Sequence, residues 1–263
     1  MKYLNDSIRG LILDMDGVLY TENTPIGDLP RIFGKIEELG MKAVMATNNS
    51  TRTVQMHLER FAKFGVRLEP WQVVTSTDAV TELLRRDLPA ASPVFAIGEP
   101  GLLECLATAG FEVLDTETAK RAAAVVMGID RSINFEKVVE ATLLVRAGRP
   151  FYITNPDMTF PTPRGQIPGN GAWSSVVETA SGVKPIVAGK PGTFILEVAL
   201  ARLGTRLSET VVVGDRLETD IAGGQAMGAK TALVLSGIGT PAQAAAWSPA
   251  IDFIAADLAD LIS

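Results

Sequence analysis

Gly10-Leu11-Ile12-Leu13-Asp14-Met15-Asp16-Gly17-Val18 decides how the rest of this chain is read. A short apolar run closed by a turn signal is the pattern of a buried strand, so the two aspartates fall at its carboxyl end. In open α/β sheets that end is where ligands bind. A carboxylate there can serve as nucleophile, general acid or metal ligand. Taken alone, Asp-Gly reads equally well as a simple turn.

Outward from this stretch the chain alternates strands and helices. A helix is expected over residues 29–39, a strand over 41–46 and a helix over 54–64, with the polar break Thr47-Asn48-Asn49-Ser50-Thr51-Arg52-Thr53 before the second helix. This βαβ grammar predicts a parallel sheet, with the turns after its first two strands at one edge. A third strand (73–76) and a helix (77–86) lead to the linker-like Leu88-Pro89-Ala90-Ala91-Ser92-Pro93, and a middle third follows with its own βαβ-like rhythm. Residues 155–171, rich in Pro and Gly and without periodicity, read as a long irregular loop, a kind that is usually functional or disordered. The parallel-sheet pattern resumes at Pro185 with Ile186-Val187-Ala188, then Gly189-Lys190-Pro191, a helix over 193–203 and the strand Val211-Val212-Val213. Gly214-Asp215-Arg216-Leu217-Glu218-Thr219-Asp220 closes that strand and opens another helix. The expected organisation is a discontinuous domain (1–77 and 185–263) interrupted by an inserted one (78–184).

Composition narrows the chemistry. With 263 residues and 47% hydrophobic content, the chain can build sizeable cores without staples. A net charge of −6 and no basic run argue against nucleic acid or an anionic membrane as partner. Residues 1–9 lack a long apolar segment and no stretch reaches eighteen uninterrupted apolar residues, so a cytoplasmic protein is expected. One cysteine and one histidine exclude an internal disulfide and a Cys/His zinc site. Cys105 reads as a small core hydrophobe and His57 as an ordinary helix residue.

Asp14-Met15-Asp16-Gly17-Val18, Thr47-Asn48-Asn49-Ser50, Gly189-Lys190-Pro191 and the stretch from Gly214 to Asp220 resemble, in this order, the four motifs of the haloacid dehalogenase (HAD) superfamily. Their flanks are most similar to its NagD-like, 4-nitrophenyl phosphatase branch, and Thr154-Asn155-Pro156-Asp157 fits the α/β cap of that branch. The resemblance spans essentially the whole chain. It implies an α/β fold: a Rossmann-like parallel-sheet core with a large inserted α/β cap.

The activity implied is Mg²⁺-dependent hydrolysis of small phosphate monoesters through an aspartyl phosphate. Asp14 would be the nucleophile and Asp16 the acid and base at the leaving oxygen. Mg²⁺ would be held by Asp14, the backbone carbonyl of Asp16, and Asp215. The Thr47 hydroxyl and the Asn48 N–H would hold the phosphoryl oxygens, and Lys190 would place a fixed cation beside Asp14. Lys190 and the metal are together expected to keep Asp14 ionised. Asp220 would orient Lys190 or a metal-bound water, or else cap the helix that follows Asp215.

Specificity is expected from the cap, chiefly from residues 155–170, whereas core packing is the simpler reading of Phe151, Tyr152, Phe160 and Trp173. Where the family usually carries Arg-Gly after the first motif, this chain has Thr21-Glu22. The partner implied is a small phosphorylated metabolite, with homo-oligomerisation left open. Two alternatives stand beside the phosphatase. One is a phosphomutase or phosphotransferase on the same fold; the other is a phosphometabolite-binding protein without turnover.

Overall fold

A computed structural model of the protein describes Leu4, residues 7–162 and residues 164–263. Part of the charged N-terminal stretch and Pro163 lie outside the described residues. The chain divides into two compact units, residues 1–47, 54–74 and 190–263 in one and 48–53 and 75–189 in the other.

The first unit is built on a six-stranded sheet. In spatial order its strands are Phe253–Ala255, Lys230–Val234, Thr210–Gly214, Gly10–Leu13, Lys42–Thr47 and Val73–Thr75. Gly10–Leu13 lies at the centre, parallel to both neighbours, with Leu13 opposite Val213 on one side and Met45 on the other. All four of its residues are buried, as expected of a strand with both faces covered. The core on one face gathers Leu11, Leu13, Met45, Val211, Val213 and Phe61, each essentially inaccessible to water. Burying each such apolar side chain contributes roughly 1.5–3 kcal/mol.

His57 sits wholly buried in the helix Val54–Lys63. Beside this helix the tight turn Tyr20–Thr21 to Thr24–Pro25 pairs antiparallel. Glu22 turns it with φ +52°, a left-handed conformation that glycine adopts more readily than any other residue. Arg60 steadies the turn, stacking 4.0 Å above the Tyr20 ring and donating to Asn23 Oδ1 at 3.2 Å.

The second unit holds a five-stranded sheet in the order Ile186–Val187, Phe151–Ile153, Ala124–Met127, Pro93–Ile97 and Glu112–Leu114, every pairing parallel. Ile186–Val187, which the sequence pattern places at the return to the first sheet, pairs instead with Tyr152 and Ile153. A two-residue strand carries no periodicity of its own, so only the free edge it meets decides its sheet. Residues 155–171 also depart from the irregular loop expected of them. Thr159–Thr162 and Gly165–Pro168 form an antiparallel ribbon, and Asn170–Ser181 is already helical. An isolated ribbon leaves one edge of each strand unpaired, so prolines that would break a central strand are tolerated there.

Phe151 and Tyr152 are buried in this unit, and Trp173 packs against its core. Phe160 lies 5.8 Å from the Arg131 guanidinium. Cys105 is half-buried, with its sulfur 3.4 Å from Thr81 Oγ1, and burial pushes its thiol pKa up. Among the described residues no helix is long and apolar enough to cross a membrane.

Candidate active site

Parallel register carries the motifs of the first unit to one edge. Asp14 is the residue after Leu13, Thr47 ends its strand two residues past Met45, and Asp215 follows Gly214 two residues past Val213. Lys190 completes the group from a different segment. Its Nζ donates to Asp14 Oδ1 at 2.6 Å and to the Ala46 carbonyl at 2.8 Å, and lies 2.7 Å from Asp220 Oδ1. Only 3% of this side chain is exposed.

Asp220 projects from Leu217–Ile221, a turn of π-helix, and its Oδ2 accepts from the Arg216 N–H at 3.2 Å. The wider π turn places a carboxylate on Lys190 while that same carboxylate caps the turn's own start. Thr47 is buried at its strand end. Asn48 opens the short segment that groups with the second unit. Asp16 is exposed, two residues past Asp14, and its carboxylate is not part of the buried cluster.

Asp215 is held by a loop that lies outside the four motifs. Ile238 N–H donates to Asp215 Oδ2 at 2.8 Å, Gly239 N–H to its backbone carbonyl at 2.9 Å, and Ser236 Oγ to the Gly17 carbonyl at 2.7 Å. The only signal in the sequence was the pair of glycines in Ser236-Gly237-Ile238-Gly239 after a strand, a common turn pattern. Gly17 itself has φ +84°, and a Cβ there would overlap the Asp215 carboxylate.

Asp14, Asp215 and Asp220 each offer an oxygen within 4.8 Å of the others. Three carboxylates against one ammonium leave a deficit of two positive charges in a buried place. Asp215 Oδ1 is buried and has no hydrogen-bond partner among the described residues. Hard oxygen donors, an orphaned carboxylate oxygen and that charge deficit together fit a divalent cation.

The titration behaviour follows from the same imbalance. Burial raises the Asp14 carboxyl well above the ordinary carboxylate range; Lys190 pulls it down, and Asp220 and Asp215 push it further up. Asp215 is raised as well, mainly by burial, with the Ile238 N–H opposing. Burial works against the charge on Lys190, but Asp14 and Asp220 outweigh it and raise its pKa. Lys190 is therefore firmly cationic, yet alone it does not offset the burial of Asp14. The expected ionised Asp14 depends on a cation that the cluster would still have to gain.

A haloacid dehalogenase-like hydrolase model matches residues 11–112, and a HAD-hydrolase-like model matches residues 187–261. The 5'-nucleotidase YutF of Bacillus subtilis is 36% identical over 230 residues, 88% of each chain. The chain belongs to the haloacid dehalogenase-like hydrolases. Within them it falls in the NagD-like, 4-nitrophenyl phosphatase branch. The p-nitrophenyl phosphatase of Archaeoglobus fulgidus has a TM-score of 0.90 to it at 35% identity, covering 97% of this chain and 98% of its own. A glycerol phosphate phosphatase of Mycobacterium tuberculosis, solved in complex with magnesium, has a TM-score of 0.89 at 30% identity, covering 99% of this chain and 78% of its own. The HAD protein described here is accordingly a phosphatase.

Proposed function

We propose that this phosphatase hydrolyses small phosphate monoesters of metabolites, in the cytoplasm, through a phosphoryl group carried on Asp14. The observation that carries the reading is the buried Asp14–Lys190–Asp220 chain beside the orphaned Asp215 oxygen. A carboxylate of Asp14 attacks phosphorus as the bond to the leaving oxygen breaks, and Asp16 supplies the proton that this oxygen takes up. Water then attacks the aspartyl phosphate, giving its proton back to Asp16, and inorganic phosphate leaves. Thr47 Oγ1, the Asn48 N–H and Lys190 hold the charge that spreads over the phosphoryl oxygens.

Mg²⁺ bound by Asp14, the Asp16 carbonyl and Asp215 would supply the positive charge that lets nucleophile and phosphate approach. The magnesium complex of the mycobacterial phosphatase and the donor chemistry of the cluster support this choice of ion. Asp220 orients Lys190. Residues 1–77 and 185–263 act as the catalytic core, and residues 78–184 as the cap that selects the leaving group, in part through the ribbon within 155–170.

Purified protein should turn over 4-nitrophenyl phosphate when Mg²⁺ is added and lose that activity with EDTA. Asp14→Asn should lower kcat by on the order of 10⁴-fold or more with an unchanged circular dichroism spectrum. Full activity in that variant would remove Asp14 from the mechanism.

A further inference from the structure

Thr154-Asn155-Pro156-Asp157 follows the strand Phe151–Ile153 and takes no part in the chemistry above, yet the side chains of Asn155 and Asp157 converge on Asn48. Asn155 Nδ2 donates to the Asn48 carbonyl at 2.8 Å, and Ser76 Oγ donates to the same oxygen at 2.9 Å. Both lone pairs of that carbonyl are thus engaged. Since the peptide group is planar, fixing its C=O also fixes the Asn49 N–H of the same unit, and so holds the Asn48 Cα from which the Asn48 N–H of the preceding peptide departs. The Asn48 side chain is tied as well, Nδ2 donating to Asp157 Oδ2 at 3.3 Å.

Asn155 is itself locked in place. It is 6% exposed, its Oδ1 accepts from the Asp157 N–H at 3.1 Å, and its backbone carbonyl accepts from Asn170 Nδ2 at 2.8 Å. Reversing its amide would set oxygen against the Asn48 carbonyl, so the network dictates the orientation. One residue earlier, the Thr154 carbonyl accepts from the Gly189 N–H at 2.9 Å, and a Cβ on Gly189 would overlap that oxygen. Residues 154–157 therefore grip both the residue that follows Thr47 and the residue that precedes Lys190.

Turn closure does not need this grip. Asn49 Oδ1 already accepts from the Thr51 N–H at 2.9 Å and the Thr51 hydroxyl at 2.8 Å, a local Asx-type closure. What the long-range bond adds is orientation. We propose that Asn155, through the Asn48 carbonyl, is a positioning residue that aims the phosphate-binding turn Thr47-Asn48 at the phosphoryl group. This rests on the function proposed above, in which that turn binds phosphate.

Two variants test it. Asn155→Asp has the same shape and keeps the acceptor for Asp157 but loses the donor to Asn48; Asn155→Ser loses the donor without adding charge. Inorganic phosphate binding would be measured by calorimetry with Mg²⁺ present, alongside KM and kcat for 4-nitrophenyl phosphate and Tm. Both variants should raise the phosphate Kd and KM about tenfold while kcat stays within about threefold, the split expected when ground and transition states lose the same interaction. A lowered Tm with unchanged Kd and KM would reduce Asn155 to a packing role. An effect confined to Asn155→Asp would point to its charge, and either result overturns the proposal. If neither variant folds, Ser76→Ala removes the other donor to that carbonyl, and an unchanged phosphate Kd there overturns it too. Wild-type protein that turns over substrate while the variants bind phosphate normally rejects this inference alone; wild-type protein that neither binds phosphate nor turns over rejects the proposed function with it.

Discussion

The polar groups around Asp14 and those around Asn48 are opposites in charge. In the first unit, Asp14, Asp215, Asp220 and Lys190 are out of balance: the Asp14 and Asp215 carboxyl pKa values are raised, and Asp215 Oδ1 has no hydrogen-bond partner among the described residues. In the second, Asn48, Asn155, Asn170 and Ser76 are neutral, one carbonyl collects two donors, and the only carboxylate they meet here, the half-buried Asp157, accepts from an amide N–H of Asn48. Neutral amides fix geometry without storing charge, since each bond formed replaces one made to water. A buried excess of one charge sign does store free energy, and it makes the region answer to pH and to cations. The contrast separates the part of the molecule built to react from the part built to hold still.

The strongest way to break that contrast is to remove the ammonium that bridges Asp14 and Asp220. Lys190→Met should lower kcat/KM about 10³-fold and, without added metal, destabilise the fold by about 3–5 kcal/mol, because Asp14 and Asp220 lose their partner. Urea unfolding of the metal-free variant measures the second effect. A stability equal to wild type would mean that the two centres do not differ as described.

Next in size is the dependence on pH and Mg²⁺. The carboxyls of Asp14 and Asp215 are raised in the folded protein and ordinary, near 4, in the unfolded chain. Between those values the folded state holds more protons, so this contribution falls as pH climbs through that window. Mg²⁺ has to displace the same protons, and its stabilisation should be larger at pH 8 than at pH 5, reaching about 2.7 kcal/mol at a hundred times its Kd. Melting scans with and without Mg²⁺ at both pH values read this directly. In Asp215→Asn the Mg²⁺-dependent shift should be lost, and the metal-free protein should gain stability at pH 8. A shift of the same size at both pH values would count against the charge imbalance.

The smallest effect expected lies outside both centres and calibrates them. Glu22→Gly relieves a left-handed backbone that glycine adopts without cost, and should stabilise by up to about 1 kcal/mol with kcat and KM unchanged. A change in activity there would show that the turn beside Tyr20 communicates with the reacting groups.

Much of this was legible beforehand. The strand that runs into Asp14 and the alternation around it pointed to a parallel-sheet α/β core with an inserted unit, and the resemblance of the ordered motifs to a known family implied a hydrolase. Shorter or less periodic pieces were not legible. Ile186–Val187 is too brief to declare its sheet, and the ribbon Thr159–Thr162 to Gly165–Pro168 hides behind its prolines. The loop that holds Asp215 donates through the backbone N–H groups of Ile238 and Gly239, which every residue except proline possesses and no side-chain pattern reveals.

Sequence by itself determined which chemical groups this protein owns and which strand ends present them, because period-two strands, helix caps and turns are local rules. Only the tertiary structure decided that Lys190 would bridge Asp14 and Asp220, that Asp215 Oδ1 would find no partner among the described residues, and that Asn155 would brace Asn48. Such pairings join residues as many as 176 positions apart, and their energies depend on burial and on neighbouring charge, quantities that exist only once the chain has folded.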